Sequence, residues 1–169
     1  MKVIPVSLAP IEADHTKQSK TKPGDDATDS PTIETYRVRL PNRNDRQFRQ
    51  FKGIKGLYQV ALDATAVRRY TMLNVYADSC SQCHKMESLL FSDERVQQLL
   101  EEVLLVQTDV TSGDDIDREL LNRLGVTAPP AILFFDPTGR EIENSRILEY
   151  LDADQFVKHI KWVLSDQAS

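Results

Sequence analysis

Residues 74–93, NVYADSCSQCHKMESLLFSD, hold both cysteines of the 169-residue chain, Cys80 and Cys83, with His84 directly behind them. As a bare pattern, Cys-x-x-Cys-His is the attachment signature of c-type haem; set after a strand, Cys-x-x-Cys is a dithiol redox motif. The flanking residues separate the two. YTMLNVYA (70–77) is rich in β-formers and reads as a central strand. Behind the cysteines, Cys83, Met86, Leu89 and Leu90 fall on one helical stripe. Cys80 is then expected where a strand ends and a helix begins. A thiolate there faces unpaired backbone N–H groups and the positive end of the helix dipole, and both lower its pKa. Cys83, one turn later, points partly inward within disulfide reach. An exposed attacking thiol and a buried resolving thiol are what exchange chemistry requires.

The haem reading fares worse. Haem c sits in a small helical fold and needs a distal ligand. Met86 is too close along the helix to supply one, and Met72 lies within the strand. A metal-binding module is a further alternative, but Cys80, Cys83 and His84 offer three ligands where a closed zinc site takes four. A redox-inactive binding module is another, against which both cysteines speak. No cofactor is expected.

Composition sets the frame. With 40% hydrophobic and 28% charged residues, the chain suits one globular domain with a tail. No apolar run approaches the ~20 residues of a membrane span. MKVIPVSLAPIEADH is interrupted by Pro5 and Pro10 and lacks the apolar core of a signal peptide. On that ground the chain is expected to be cytoplasmic if complete. Residues 37–69 carry nine Lys/Arg against two acids, net +7, whereas 70–169 carry eight against eighteen, net −10. This is read as a solvated basic arm beside an acidic domain. Without aromatic interleaving or a recognition-helix pattern, no nucleic-acid partner is expected.

Residues 1–46 read as a flexible, largely disordered tail or linker, poor in large apolar residues over 12–33, with a short strand at 34–40 (ETYRVRL). From 47 to 169 the pattern alternates. FKGIKG suggests a short first strand, and LYQVALDATAVRRY a helix with Leu57, Val60, Ala61, Ala64 and Val67 on one face. SDERVQQLLEE is a short helix capped by Ser92 or Asp93, and VLLVQTDV a second buried strand. SGDDIDRELLNRLG is a helix with Ile116, Leu120, Leu121 and Leu124 on one face and Gly125 just past its end. VTAPPAILFF is a third strand, DPTG a type I turn, and REIENSRILEYL an antiparallel return. Asp152 and Gln155 form a capping box for a last helix carrying Phe156, Ile160 and Val163. The solution is a three-layer α/β/α domain around a mixed sheet.

VYADSCSQCHKMESLLFSDERVQQLL, VLLVQTDVT, LLNRLGVTAPPAILFFDPTGRE and LEYLDADQFVKHI, in this order, resemble the C-terminal thioredoxin-like domains of the DsbD family of transmembrane thiol:disulfide interchange proteins. The CHKME…FSD wording is also similar to thioredoxin-like proteins with a Cys-x-x-Cys-His-x-Met motif. The resemblance implies a thioredoxin fold and a protein-disulfide reductase or electron relay. Its partners would be protein thiols and disulfides: a membrane electron donor and another thioredoxin-like protein. It further implies a monomer and a periplasmic or extracytoplasmic setting. It assigns Cys80 as nucleophile, Cys83 as resolving cysteine and Pro130 as a cis-proline that turns the backbone of Pro129 towards a bound peptide. It matches Glu87 to an acid near the thiols. Seven residues after Cys80, Glu87 would lie within about 20° of the same helical face. Two positions depart from the pattern: Ser79 stands where the family usually has Trp, and Asn74 where it has a buried acid. His84 would favour the thiolate if charged and relay protons if neutral; the plainer reading is a solvent-facing helix position.

Overall fold

The computed structural model describes residues 48–165, so the tail at 1–46 and the strand expected at 34–40 lie outside the described residues. Among the described residues four strands form one sheet: β1 (Arg49–Phe51), β2 (Thr71–Tyr76), β3 (Leu104–Asp109) and β4 (Ala131–Phe135). Their order is β1-β3-β2-β4. β1 and β2 both run parallel to β3, while β4 pairs antiparallel with β2. β4 is apolar and buried throughout, and β2 is buried along nearly its whole length. That is how a strand covered on both faces should read.

Helices cover both faces. α1 (Gly53–Val67) and α4 (Asp115–Leu124) pack on one. There Leu57, Val60, Ala61 and Ala64 meet Leu120 and Leu124 over Leu73, Val75, Val106 and Leu133. α2 (Ser81–Lys85), α3 (Glu94–Leu99) and α5 (Ala153–Ser165) cover the other. Here Met86, Leu90, Val96, Phe156, Ile160 and Val163 bury Met72, Ile132 and Phe134. Alternation along β2 explains the division: Leu73 and Val75 serve the first core, Met72 the second. This is the three-layer α/β/α arrangement with a mixed sheet.

Local chemistry sets the ends of the elements. Asp93 caps α3, accepting from the backbone N–H groups of Arg95 and Val96. The hydrogen bond from the Arg95 guanidinium holds the Asp93 carboxyl below its usual range. Asp152 and Gln155 exchange side-chain hydrogen bonds with each other's backbone N–H, at 2.8 and 3.1 Å. Gly125 ends α4 with φ +62°, the left-handed conformation that glycine adopts without a Cβ clash.

Four sequence expectations shift. The first strand lies one step earlier than FKGIKG, because Gly53 (φ +64°) already opens α1. The return after DPTG is no regular strand; it touches β4 through two bridges, Phe135–Glu141 and Ile132–Ile147. Ile116 lies in the first turn of α4 and is 52% exposed, and Leu89 is 59% exposed. Leu89 leaves the stripe because α2 loosens into a π-helical turn at Met86–Leu90, closed by the Phe91 N–H on the Met86 carbonyl. That turn rotates the following residues relative to an α-helical count.

One buried charge joins the layers. Asp117, fully buried in the first turn of α4, lies 2.5 Å from Lys52 Nζ, and its other oxygen accepts from the Gly113 N–H. Lys52 also donates to the Asp109 carbonyl at the end of β3. Breaking a fully buried pair costs about 3–5 kcal/mol, but the Lys52 side chain is 43% exposed and can rehydrate. Asp117→Asn is therefore expected to lower the unfolding free energy by about 1–2 kcal/mol in a urea titration. An unchanged midpoint would show that the pair contributes nothing.

Candidate functional site

The site lies where β2 ends. Past Tyr76, a turn closed by the Cys80 N–H on the Ala77 carbonyl (3.0 Å) delivers Cys80 as the N-cap residue of α2. Cys80 and Cys83 are joined as a disulfide with Cα atoms 5.2 Å apart. Cys80 is half-buried, and its sulfur accepts from the Cys83 N–H at 3.1 Å. Cys83 is 3% exposed. The two sulfurs thus differ sharply in access, and the outer one meets a backbone donor that would stabilise it as a thiolate.

Pro130 is buried at the start of β4, and the Pro129–Pro130 peptide bond is cis. Cys80 packs against the same core cluster that contains Ala131, next to this proline.

Asn74 faces the underside of α2. It shares a face of β2 with Met72, which packs with Met86 and Leu90, and with Tyr76, whose ring stands edge-on to His84 at 5.7 Å. Asn74 is 4% exposed and donates Nδ2 to Oε1 of Gln107, its register partner on β3, at 3.2 Å. Gln107 was not singled out from the sequence. A polar residue inside the buried run VLLVQTDV, facing the polar residue inside YTMLNVYA, was the available signal.

Ser79 is exposed in the turn before Cys80. His84 is exposed, with Nε2 2.9 Å from the Asp78 carbonyl. A carbonyl oxygen only accepts, so Nε2 carries the proton. Glu87 is exposed on the π-helical turn, close enough to Tyr76 for its charge to act on the phenol. Desolvation, the 3.1 Å hydrogen bond to Asp78, and the Glu87 and Asp109 carboxylates together raise the Tyr76 pKa above its ordinary value. Tyr76 therefore stays a neutral phenol across physiological pH. Among the described residues, no three His, Cys, Asp or Glu side chains gather where they could hold a metal ion.

Residues 58–164 match the family model of the thioredoxin-like domain. The chain belongs to the thioredoxin-like family. It is 36% identical over 124 residues to the thiol:disulfide interchange protein DsbD of Photorhabdus laumondii, covering 73% of this chain and 21% of that protein. DsbD of Escherichia coli K12 is 38% identical over 114 residues, 68% of this chain and 20% of that protein. The chain thus spans about a fifth of the length of these curated relatives. Among solved structures, the oxidised C-terminal domain of Neisseria meningitidis DsbD superposes with a TM-score of 0.55 at 24% identity, over 66% of this chain and 97% of that one. A thioredoxin from Thermus thermophilus gives 0.56 at 26%, over 72% and 90%. The fold is the thioredoxin fold, and the relationship to DsbD together with the Cys80–Cys83 pair supports a thiol–disulfide redox role. No helix among the described residues is long and apolar enough to cross a membrane.

Proposed function

We propose that the chain is a protein-disulfide reductase module that relays electrons through Cys80 and Cys83. The observation that carries this reading is the difference in access between the two sulfurs, half-buried Cys80 with a backbone donor on its Sγ and Cys83 enclosed behind it. In the reduced state, Cys80 attacks one sulfur of a partner disulfide. A mixed disulfide forms, and the partner's other sulfur leaves as a thiolate that takes a proton from water. Cys83, deprotonated in turn, attacks Cys80 Sγ and releases the partner's second thiolate. The partner gains two electrons, and this chain is left with the Cys80–Cys83 disulfide. A dithiol donor restores it by the reverse exchange. The relatives' name, thiol:disulfide interchange protein, supports exchange with thiols and disulfides, and we assign a protein dithiol as donor and a second thioredoxin-like protein as acceptor. Their likeness supports an extracytoplasmic setting.

Around the thiols we assign Pro130 to the wall that a bound peptide meets and Glu87 to the carboxylate that serves the thiols from the following helical turn. We assign Asn74 to a neutral support under the helix, His84 and Ser79 to its solvent-facing rim, and residues 47–169 to the redox domain. Reduction of insulin by the full chain with dithiothreitol as electron source tests the reading. Turbidity should rise far faster than with dithiothreitol alone, and the Cys80→Ser variant should match the background. A potential near about −270 mV supports a reductant, and one near about −120 mV an oxidant.

A further inference from the structure

Beyond the sulfurs, the active-site helix is fastened to a loop on the opposite side of the site. Gln82, exposed between the cysteines, accepts the Tyr150 backbone N–H on its Oε1 at 2.9 Å, across 68 residues of sequence. The loop is placed by β4. Ile132 and Ile147 exchange both backbone hydrogen bonds, at 2.8 and 3.0 Å, and run antiparallel. Leu148 follows that bridge directly, in the direction of Ala131 and Pro130, before the chain bends at Glu149. Leu148 is 59% exposed, one of the two most exposed large apolar side chains among the described residues. Past Tyr150 the chain enters the Asp152 capping box of α5. Between the Ile147 bridge and that cap, the Gln82 hydrogen bond is a tether from the redox helix itself.

Resting on the exchange reading above, we infer that Gln82 is a positioning residue for partner recognition. It holds the 148–151 loop so that Leu148 presents an apolar contact beside Pro130 and Cys80. The contact would meet the extended chain flanking a partner protein's cysteine. A short polar residue at 82 cannot span to the loop, and an aliphatic one offers no acceptor for the Tyr150 N–H. Glutamate keeps the acceptor oxygen in the same place. Although Gln82 sits between the cysteines, its side chain bonds the Tyr150 backbone, so the clamp should govern how tightly a protein disulfide docks rather than how fast a small one reacts.

The test compares the full chain with Gln82→Ala, Gln82→Glu and Leu148→Ser. Insulin serves as protein substrate, 5,5′-dithiobis(2-nitrobenzoate) as small disulfide, and hydrogen exchange at the Tyr150 amide as direct readout of the clamp. Gln82→Ala should raise the KM for insulin about fivefold with kcat within twofold, the size expected for one lost hydrogen bond. It should also speed Tyr150 amide exchange and leave the small-disulfide rate within twofold. Gln82→Glu should restore both KM and exchange protection, and Leu148→Ser should raise KM with Tyr150 still protected. An unchanged insulin KM in Gln82→Ala overturns the inference, as does an equal loss with the small disulfide, which would place Gln82's effect on the thiols. A parent chain that reacts with neither disulfide overturns the redox reading itself, and this inference with it.

Discussion

Replacing Cys83 by Ser is expected to stop turnover and accumulate a mixed disulfide between Cys80 and the partner. Cys80 remains half-buried and supported by the residue-83 backbone N–H, so the first attack proceeds. The second step requires the sulfur enclosed at 3% exposure, and serine cannot attack a disulfide. Steady-state reduction should fall on the order of a thousandfold or more, since residues that act as one unit fail together. Non-reducing electrophoresis should show one adduct per chain, released by dithiothreitol. Cys80→Ser should lose the same turnover and form no adduct, because the remaining thiol is shielded from a protein partner. An adduct through Cys83 in that variant would reverse the assigned roles.

Asn74→Asp should have the second-largest effect, and one that depends on pH. The buried Asn74–Gln107 amide pair does not titrate, so the site under α2 keeps the same charge at every working pH. An aspartate there would be desolvated, and its pKa would rise above the unfolded value. The folded state would then bind a proton that the unfolded state has released. The cost in stability is thus small below the ordinary carboxylate range and grows as pH rises through it, reaching about 2 kcal/mol near pH 8. Gln107 can turn its amide to donate Nε2, which limits the loss. Once ionised, the carboxylate would raise the thiol pKa by about one unit through like-charge coupling. Below the thiol pKa each such unit lowers the thiolate about tenfold while the more basic thiolate regains about a factor of three in nucleophilicity, so exchange should slow about threefold. The rate–pH profile of the variant should move to higher pH relative to the parent. Coincident profiles would show that residue 74 is electrostatically isolated from the thiols.

Much of this was legible in the sequence wherever a feature is local. The runs at β2, β3 and β4 announce themselves because strands buried on both faces are mostly apolar, with Asn74 and Gln107 as the polar interruptions. The Asp152–Gln155 box and Gly125 mark helix ends by chemistry confined to one turn. The Cys-x-x-Cys pair could be placed because strand and helix flank it directly. The readings that moved depend on the rest of the chain. Ile116 fits the helical stripe of α4 yet stays largely exposed, because it sits in the first turn, at the rim of the core. The exposure of Leu89 follows from the π-helical turn at Met86–Leu90, which no periodicity count includes. The residues after DPTG make two bridges rather than a ladder. Their pairing depends on a turn and a loop whose geometry the side-chain pattern does not encode. Gln107 and Tyr150 were missed because their partners lie 33 and 68 residues away, and a side-chain hydrogen bond across such distances leaves no periodic trace.

The central claim is that Cys80 and Cys83 form a reversible redox couple, and an equilibrium titration of the full chain in glutathione buffers tests it most directly. Thiol-trapped samples resolved by mass should pass from two modified thiols to none as the oxidised fraction rises. The transition should be a single reversible two-electron step, the same from either direction, and it should vanish in Cys80→Ser. A chain whose two thiols never pair, or whose disulfide no glutathione or dithiothreitol buffer can open and re-form, would contradict the account.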